Sequence, residues 1–338
     1  AFDPAVQPPS VTSLDFHRDG HHLISSDQAG QLSLINAAEG SLLKCSLSRK
    51  HPVGLSRFTH HPQAVLCSSL PRVSKDGAHD IRYLSLHDNS YLRFFHGHTA
   101  EVTSLSMSPA DDQFVSAAKD NTVRLWDLKS AKSLGVARME RATSTPLAAF
   151  DPSGRVFAAT FVQSGTNIIK LYDARNTSTG PFATFSYEVM QMAAFLRSQL
   201  PGLHPRSAQI KAQAAWTSLS FSADGEYMAV STAEGTVLLV DAFEGQLLQV
   251  YQGQGEKGKV TSSCCFTPDG THVVAGTSDG KVCFWAVAKS DQSKIQPAKV
   301  LEGHAGAVNA VACSPRLAVL ASSCSAVVLW GEKQTEVE

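Results

Sequence analysis

The sequence predicts an all-β protein, a single seven-bladed β-propeller that spans residues 1–338. Three observations predict it. One pattern of three strands recurs seven times, and most recurrences are spaced by roughly 42 to 49 residues, the length of a four-stranded blade. Many strand-like runs, such as TVLLV and AVVLW, are also apolar at every position, as expected for strands that are buried on both faces between stacked sheets.

Each repeat contains a strand, a turn that often includes Asp-Gly, a second strand rich in Ala, Ser and Val, another turn and a third strand. The repeats start at Val11, Val53, Val102, Pro146, Trp216, Val260 and Val308. The fourth strand of each blade is expected before the next repeat, for example PFATF at 181–185. Ring closure would then require residues 2–6 to pair with the last blade, and the prolines in this segment predict weak pairing.

Composition excludes several classes of function. The net charge is −1 and the basic residues are spread along the chain, which argues against sequence-specific nucleic-acid binding or an anionic membrane as partner. No run of 18 apolar residues is present, so we expect no membrane span. The seven cysteines are odd in number and form no CxxC pair. They are expected to be reduced thiols of a cytosolic or nuclear protein.

Catalytic and metal-binding motifs are absent from the sequence. It contains no P-loop, no GxSxG and no HExxH motif, so we expect no enzyme activity and no cofactor. The histidine pairs at 21–22 and 60–61 lie at predicted turns. We found no carboxylate or cysteine at ligand spacing beside them, and therefore expect no metal site.

The third repeat carries the most specific motifs. Gly-His at 97–98 precedes its first strand, and Trp-Asp at 126–127 ends its third strand. The seventh repeat has part of this pattern, with Gly-His at 303–304 and Trp330. These motifs resemble those of the WD-repeat family. The resemblance implies a buried polar network with a structural and not a catalytic role, formed by His98, Ser116, Asp120 and Trp126.

The stretch HDIRYLSLHDNSYLRFF, residues 79–95, combines strand-like alternation with many aromatic and basic residues. We assign it to the third and fourth strands of blade two. His87-Asp88 then stands where blade three has Trp-Asp, which predicts that His87 packs in place of the tryptophan. Tyr83 and Phe94 are expected to pack between blades.

Extra length relative to the repeat is concentrated at 70–80, at 161–167 and at about 187–214. In a WD-repeat propeller these connections emerge on one face, and loops held by a rigid scaffold commonly bind partners. Val189, Met192 and Leu196 follow helical spacing, so a helix is predicted near 188–200 and is ended by Pro-Gly at 201–202. Its apolar face would cap the propeller or dock a partner, and partial disorder is a third alternative.

Longer blocks of sequence narrow the resemblance. DIRYLSLHDNSYLRFF and KLYDARNTSTGPFATF are similar to segments of the nuclear WD-repeat subunits shared by COMPASS-type histone lysine methyltransferase complexes and by RNA-cleavage and phosphatase complexes. The resemblance implies a non-enzymatic nuclear scaffold. Its implied partners are a segment of the methyltransferase subunit or a phosphatase-targeting subunit, together with the phosphorylated C-terminal repeats of RNA polymerase II during transcription termination. The alternative is a generic WD-repeat adaptor, such as a substrate receptor of a ubiquitin ligase.

Candidate partner-binding residues lie in two of the enlarged regions. They are Arg72, Lys75, His79, Asp80 and Arg82 near blade two, and Tyr187, Met190, Phe195 and Arg197 beside blade four. Basic residues in the first group could bind a phosphorylated peptide through charge-assisted hydrogen bonds. The competing interpretation is an ordinary solvated loop. If the group binds a partner, reversing Arg72, Lys75 and Arg82 to Glu should weaken binding and leave the fold intact.

Overall fold

Seven antiparallel sheets follow one another along the chain in the computed structural model, which describes residues 9–47, 52–70, 79–200, 202–253, 260–287 and 296–331. The first strand of each sheet contacts the first strand of the next, and the seventh sheet contacts the first. The predicted seven-bladed β-propeller is therefore confirmed. The described residues form two α-helices and a 3₁₀-helix at Thr177–Thr179, and none of them is long and apolar enough to cross a membrane.

The first four blades have four strands each, paired in sequence order. Blade one contains β1 (Val11–Phe16), β2 (His22–Asp27), β3 (Gln31–Asn36) and β4 (Ser41–Leu47). Blade two contains β5 (Val53–Phe58), β6 (Ala64–Ser69), β7 (Ile81–Ser85) and β8 (Tyr91–Phe95). Blade three contains β9 (Val102–Met107), β10 (Gln113–Ala118), β11 (Thr122–Asp127) and β12 (Gly135–Arg138). Blade four contains β13 (Leu147–Phe150), β14 (Val156–Gln163), β15 (Thr166–Asp173) and β16 (Ala183–Tyr187).

Two helices connect blade four to blade five, α1 (Val189–Gln199) and α2 (Pro205–Ala212). Blade five contains β17 (Trp216–Phe221), β18 (Tyr227–Thr232), β19 (Thr236–Asp241) and β20 (Leu247–Gln252). Blade six contains β21 (Val260–Phe266), β22 (His272–Thr277), β23 (Lys281–Ala286) and β24 (Lys299–Glu302). Three described strands form blade seven: β25 (Ala310–Cys313), β26 (Val319–Ser323) and β27 (Val327–Gly331). The predicted closing segment at 2–6 lies outside the described residues.

The connection at 161–167 differs from its prediction as an enlarged loop. β14 and β15 pair without interruption up to Gln163 and Thr166, and a two-residue turn joins them. Both turn residues, Ser164 and Gly165, have positive φ angles of 51° and 83°, as tight hairpin turns require. The extra residues therefore lengthen the two strands, because the sequence SG already supplies the turn.

Apolar side chains fill the spaces between neighbouring blades. Between blades two and three, the indole of Trp126 stacks on Phe114, with ring centroids 6.0 Å apart, and meets the edge of Phe95 at 5.7 Å. All three side chains are fully buried. Similar clusters occupy the other seams, which explains why the second and third strands of the blades read as continuous apolar runs.

The innermost strands meet through side-chain hydroxyls. The Ser104 hydroxyl donates to the Ala148 carbonyl at 2.6 Å and accepts from the Ala148 amide at 3.1 Å, so it satisfies both backbone groups of one residue in the next blade. Ser13 does the same for Ser56, with both distances between 3.2 and 3.3 Å. Ser106 accepts from the Phe150 amide. One recurring serine therefore joins inner strands that no backbone ladder connects.

Replacing Ser104 with Ala tests this joint. The substitution leaves the amide and the carbonyl of Ala148 without their partner, so we expect the free energy of unfolding to fall by about 1–3 kcal/mol. Urea denaturation followed by circular dichroism measures the change. Ser186→Ala is the matched control, since Ser186 is exposed on an outer strand and its loss should cost less than about 0.5 kcal/mol. Equal losses in the two variants would contradict a joining role for the inner hydroxyl.

Candidate functional site

Blade three contains the polar network that its motifs predict. The Trp126 indole N–H donates to the Ser116 hydroxyl at 2.8 Å, and that hydroxyl lies 2.7 Å from His98 Nε2. His98 Nδ1 lies 2.9 Å from an Asp120 carboxylate oxygen. A neutral imidazole that donates from Nδ1 gives each of these three hydrogen bonds one donor and one acceptor. The network links the third strand to the connection before the first strand.

Burial and hydrogen bonding keep the network in one charge state. Burial lowers the pKa of His98, although the hydrogen bond to Asp120 opposes this, so the imidazole is neutral. Burial alone would raise the pKa of Asp120, but hydrogen bonds from the Thr122 hydroxyl and the Thr99 amide lower it. Asp120 therefore remains a carboxylate and orients the imidazole ring of His98.

Glycine precedes the histidine for a steric reason. A Cβ atom on Gly303 would lie 2.9 Å from Cη2 of Trp330, and one on Gly97 would lie 3.2 Å from the same atom of Trp126. These distances leave little or no room for a side chain beside the indole. The Gly-His pair therefore lets the backbone approach the tryptophan closely enough for the histidine to reach the serine.

Blade seven builds a variant of the network from a different fourth residue. The Trp330 indole donates to Ser322, which lies 2.6 Å from His304 Nε2. Cys324 Sγ lies 3.2 Å from His304 Nδ1, where blade three has the carboxylate of Asp120. The seventh repeat has no aspartate before its tryptophan, and its thiol was not predicted; Cys324 lies two residues after the serine, whereas Asp120 lies four residues after Ser116.

Blade six retains the tryptophan but lacks the serine. Trp285 pairs with Val273 as Trp126 pairs with Phe114, so Ala275 occupies the position of Ser116. The Trp285 side chain is fully buried and, among the described residues, its indole nitrogen has no hydrogen-bond partner. An unpartnered buried N–H costs stability. We therefore expect blade six to be less stable than it would be with a hydrogen-bond partner for this indole.

Blade two shows that the prediction for His87 was wrong. β6 and β7 pair Val65 with Leu84, the counterpart of the pair between Phe114 and Trp126. Leu84 therefore takes the tryptophan position, and His87 is exposed in the turn after β7. The predicted position of the motif was three residues too late in the chain, because the His-Asp dipeptide resembles Trp-Asp. Tyr83 packs partly buried against the seam between blades two and three.

The prediction that Arg82 binds a partner was also wrong, because its side chain is buried. It is only 2% exposed, and its guanidinium donates to the Ser69 hydroxyl at 2.8 Å and lies 3.4 Å from the Pro52 carbonyl. Successive side chains of β7 point to opposite faces of the sheet, and the side chain of Arg82 points to a face that is buried. A partner cannot reach this side chain, and Arg82→Glu would bury an uncompensated carboxylate. The proposed charge reversal would then disturb the fold.

The remaining residues predicted near blade two lie at the loop end. His79 and Asp80 are half-buried, and the Asp80 carboxylate lies 2.9 Å from Nδ1 of His96. The His96 side chain is 69% exposed and stacks on Phe94 with centroids 6.1 Å apart. His96 is thus available at the surface beside the Gly-His connection of blade three, whereas the Asp80 side chain is 19% exposed. Arg72 and Lys75 lie outside the described residues.

The helical connection packs onto the propeller. A helix was expected near 188–200, and α1 occupies Val189–Gln199. Its residues Met192 and Leu196 are buried in the core cluster of blades four and five, together with Ala208 and Ala212 of α2. The Asn167 side chain donates to the Ala212 carbonyl at 3.1 Å and ties α2 to blade four. The apolar face therefore covers the propeller itself, and its opposite face remains outside.

Four of the predicted binding residues belong to this region and separate into two groups. Tyr187 is buried and its hydroxyl donates to the Gly245 carbonyl at 2.7 Å, so it is a packing residue and its prediction as a binding residue was wrong. Phe195 is half-buried against the core cluster. Met190 is 72% exposed, and Arg197 is also exposed. Among the four predicted residues, Met190 and Arg197 are therefore the ones that a partner could contact.

The inner strands line a central cavity of about 590 Å³. Its wall is rich in hydroxyl side chains and includes Asp15 and Arg57. Burial raises the pKa of Asp15, which the Arg57 charge and the Phe58 amide partly offset. The Phe58 amide donates to the Asp15 carboxylate at 2.7 Å. These polar groups join the inner strands, so the cavity is part of the scaffold.

Ala275→Ser should give the Trp285 indole of blade six a hydrogen-bond partner. The new hydroxyl would accept the hydrogen bond of the Trp285 indole, as Ser116 does for Trp126, and we expect the free energy of unfolding to rise by about 1 kcal/mol. Urea denaturation provides the measurement. In a Trp285→Phe background the gain should disappear, because no N–H remains to be satisfied. A gain of the same size in that background would show that the indole is not the cause.

The neutral state of His98 predicts a pH dependence. As pH falls from 7 to 5, the unfolded chain binds a proton near the ordinary histidine pKa of about 6.5, whereas the folded chain does so only at a lower pH. The free energy of unfolding should therefore fall over this range. Denaturation at a series of pH values should give a shallower slope for His98→Asn. His304 has a pKa lowered by burial too, so His304→Asn provides a second variant. Unchanged slopes in both would contradict the argument.

Comparison with known proteins agrees with this geometry. The WD domain, G-beta repeat family matches residues 89–127, 245–286 and 295–330. WD repeat-containing protein 82 of Drosophila melanogaster is 35% identical over 95% of this chain and 90% of its own length. COMPASS component SWD2 of Saccharomyces cerevisiae is 32% identical over 84% of this chain and 78% of its length. Set1 complex component swd2 of Schizosaccharomyces pombe is 31% identical over 84% and 72%. The chain therefore belongs to the WD-repeat family.

Proposed function

We propose that this chain is a non-catalytic scaffold subunit of a nuclear histone lysine methyltransferase complex of the COMPASS type. The observation that carries the proposal is the similarity, over most of the chain, to one relative named as a COMPASS component and another named as a Set1 complex component. A phosphatase-targeting subunit and the phosphorylated C-terminal repeats of RNA polymerase II are further proposed partners, which would link the chain to transcription termination.

The side-chain arrangement supports a scaffold. His98 and Asp120 would resemble a catalytic pair in isolation, yet His98 is closed off between Ser116 and the carboxylate. A nucleophile requires a base within reach and an open position for substrate. In the described part of the chain, the polar networks of blades three and seven instead link strands inside the blades.

A binding surface is proposed at the end of the propeller that carries the Gly-His connections and the helices. There Met190 and Arg197 lie on the exposed side of α1, while His96, which is paired with Asp80, is exposed beside blade three. An exposed methionine adapts to an apolar partner, and an exposed arginine can bind a carboxylate or phosphate. With Arg82 buried, a phosphorylated peptide would depend on Arg197 and on the loop residues Arg72 and Lys75.

Affinity purification from nuclear extract tests the function. A tagged chain should recover a SET-domain methyltransferase by mass spectrometry, and a Met190→Glu, Arg197→Glu variant should recover it several-fold less well. Leu134→Glu is the matched control, since Leu134 is 53% exposed on a different blade and should leave recovery unchanged.

The outcomes separate the function from the surface. Equal recovery by all three proteins would retain the methyltransferase complex as partner and place the contact elsewhere. Recovery of neither a methyltransferase nor a phosphatase-targeting subunit, with the protein in the cytoplasm, would contradict the proposed function. Recovery of cullin components instead would favour the alternative of a ubiquitin-ligase substrate receptor.

A further inference from the structure

The turn between β1 and β2 gathers three potential metal ligands. Nδ1 of His17 lies 2.9 Å from one carboxylate oxygen of Asp19, and Nδ1 of His22 lies 2.7 Å from the same oxygen. The three ligand atoms all lie within 4.8 Å of one another. We expected no metal because we saw no carboxylate at ligand spacing near the histidines, and Asp19 supplies one.

Other blades show that the turn itself does not require two imidazoles. In blade six the hydroxyl of Thr267 donates to the carboxylate of Asp269, and the Ser222 hydroxyl donates to Asp224 in blade five. His17 stands in the place of these hydroxyls. Blade six also has a histidine, His272, three residues after its aspartate, as blade one has His22. Blade six therefore holds two of the three groups, with Thr267 in place of the third.

The orientation of His17 is fixed from outside the cluster. Its Nε2 donates to the carbonyl oxygen of His60 at 3.1 Å, which leaves a lone pair on Nδ1. The Asp19 amide donates to this nitrogen at 3.2 Å, consistent with the same tautomer. A histidine ligand commonly donates its other N–H to a backbone carbonyl in this way. Because His17 is only 5% exposed, the ring is held in place before any ligand binds.

This tautomer leaves one contact that only positive charge stabilises. The Nδ1 lone pair of His17 faces an Asp19 carboxylate oxygen, another acceptor, at 2.9 Å. A proton or a metal cation between them would make the contact favourable. Two imidazole nitrogens and one carboxylate oxygen form the ligand set that suits Zn²⁺, with a fourth position for water.

We propose that His17, Asp19 and His22 form a Zn²⁺ site that fixes this turn between the first and last blades. Tetrahedral coordination with bonds of about 2.0–2.2 Å places ligand atoms about 3.3–3.6 Å apart. The cluster must therefore open slightly, and Asp19 and His22, each 31% exposed, have room to do so. The nearby Arg18 guanidinium opposes a cation, but it is bonded to Nδ1 of His60 at 2.8 Å.

The position of the turn gives the metal a structural effect. The Ser314 hydroxyl of blade seven donates to the Gly20 carbonyl at 2.9 Å, and the Arg316 guanidinium donates to the Arg18 carbonyl at 3.1 Å. Gly20 has a φ of 78°, and a Cβ there would lie 2.8 Å from Cβ of Arg316. A metal that rigidifies this turn would therefore strengthen the seam where blade seven meets blade one.

Zinc titration by calorimetry, with cobalt absorption as a second probe, tests the site. We expect the full chain to bind one equivalent of Zn²⁺, and its thermal midpoint to rise with zinc and to return after EDTA is added. His22→Gln should weaken binding at least tenfold. His272→Gln is the matched control and should bind as the original protein does, because Thr267 replaces the third ligand there.

Three results would overturn the proposal. These are absence of zinc binding by the folded chain, equal weakening by the two substitutions, and a thiolate charge-transfer band in the cobalt spectrum, which would assign the metal to cysteine. Circular dichroism establishes that each variant folds. His17→Gln provides a second test of the same site, and retention of full affinity in both His17→Gln and His22→Gln would likewise exclude it.

Discussion

The free edges of the inner strands are the constraint on which this propeller depends. Adjacent sheets share no backbone ladder, so the edge amides and carbonyls of their inner strands need other hydrogen-bond partners. Serine resolves this, because one hydroxyl both donates and accepts and is small enough to fit. Ser13 and Ser104 each satisfy the two edge groups of one residue in the next blade. The recurring Thr-Ser at the start of the inner strands is therefore a packing requirement that the repeat pattern alone does not explain.

The tryptophan networks lie on the second and third strands of the blades, outside the inner strands, and their residue types vary more from blade to blade. Blade three retains every member, blade seven substitutes Cys324 for the aspartate, and blade two replaces serine and tryptophan with Cys67 and Leu84. Burial raises the pKa of Cys67 to about 12, so that thiol is neutral and behaves as an apolar group. Replacing both partners of a buried hydrogen bond costs little, whereas removing one is expensive. Blade six keeps the tryptophan although it has neither the serine nor a Gly-His pair before its first strand, and among the described residues of these four blades its indole is the one without a partner.

Much of the fold followed from periodicity, since strand order and blade number depend on repeated local patterns. The network of blade three also followed, because it requires particular residue types at particular spacings. The candidate binding residues did not. Arg82 and Tyr187 were chosen for their chemistry, but the pleat of one strand and the packing of a helix bury them, and burial depends on contacts between distant segments. The prediction for His87 was wrong for a related reason, since pairing with β6, and not a dipeptide, sets the register of β7.

The connections at the two ends of the propeller differ in length because neighbouring blades pack closely at one of them. At one end the first turns of neighbouring blades contact each other directly: His17 donates to the His60 carbonyl, and Nε2 of His60 lies 3.1 Å from the Ser108 carbonyl. A Cβ on Gly154 would lie 2.7 Å from Cβ of Ala110, so these turns have no room to grow. Because the strands are antiparallel, the connections between second and third strands and those between blades lie at the opposite end, where α1 and α2 lie. The first turns therefore stay short, whereas the long connection between β6 and β7 and the two helices between blades four and five lie at the opposite end.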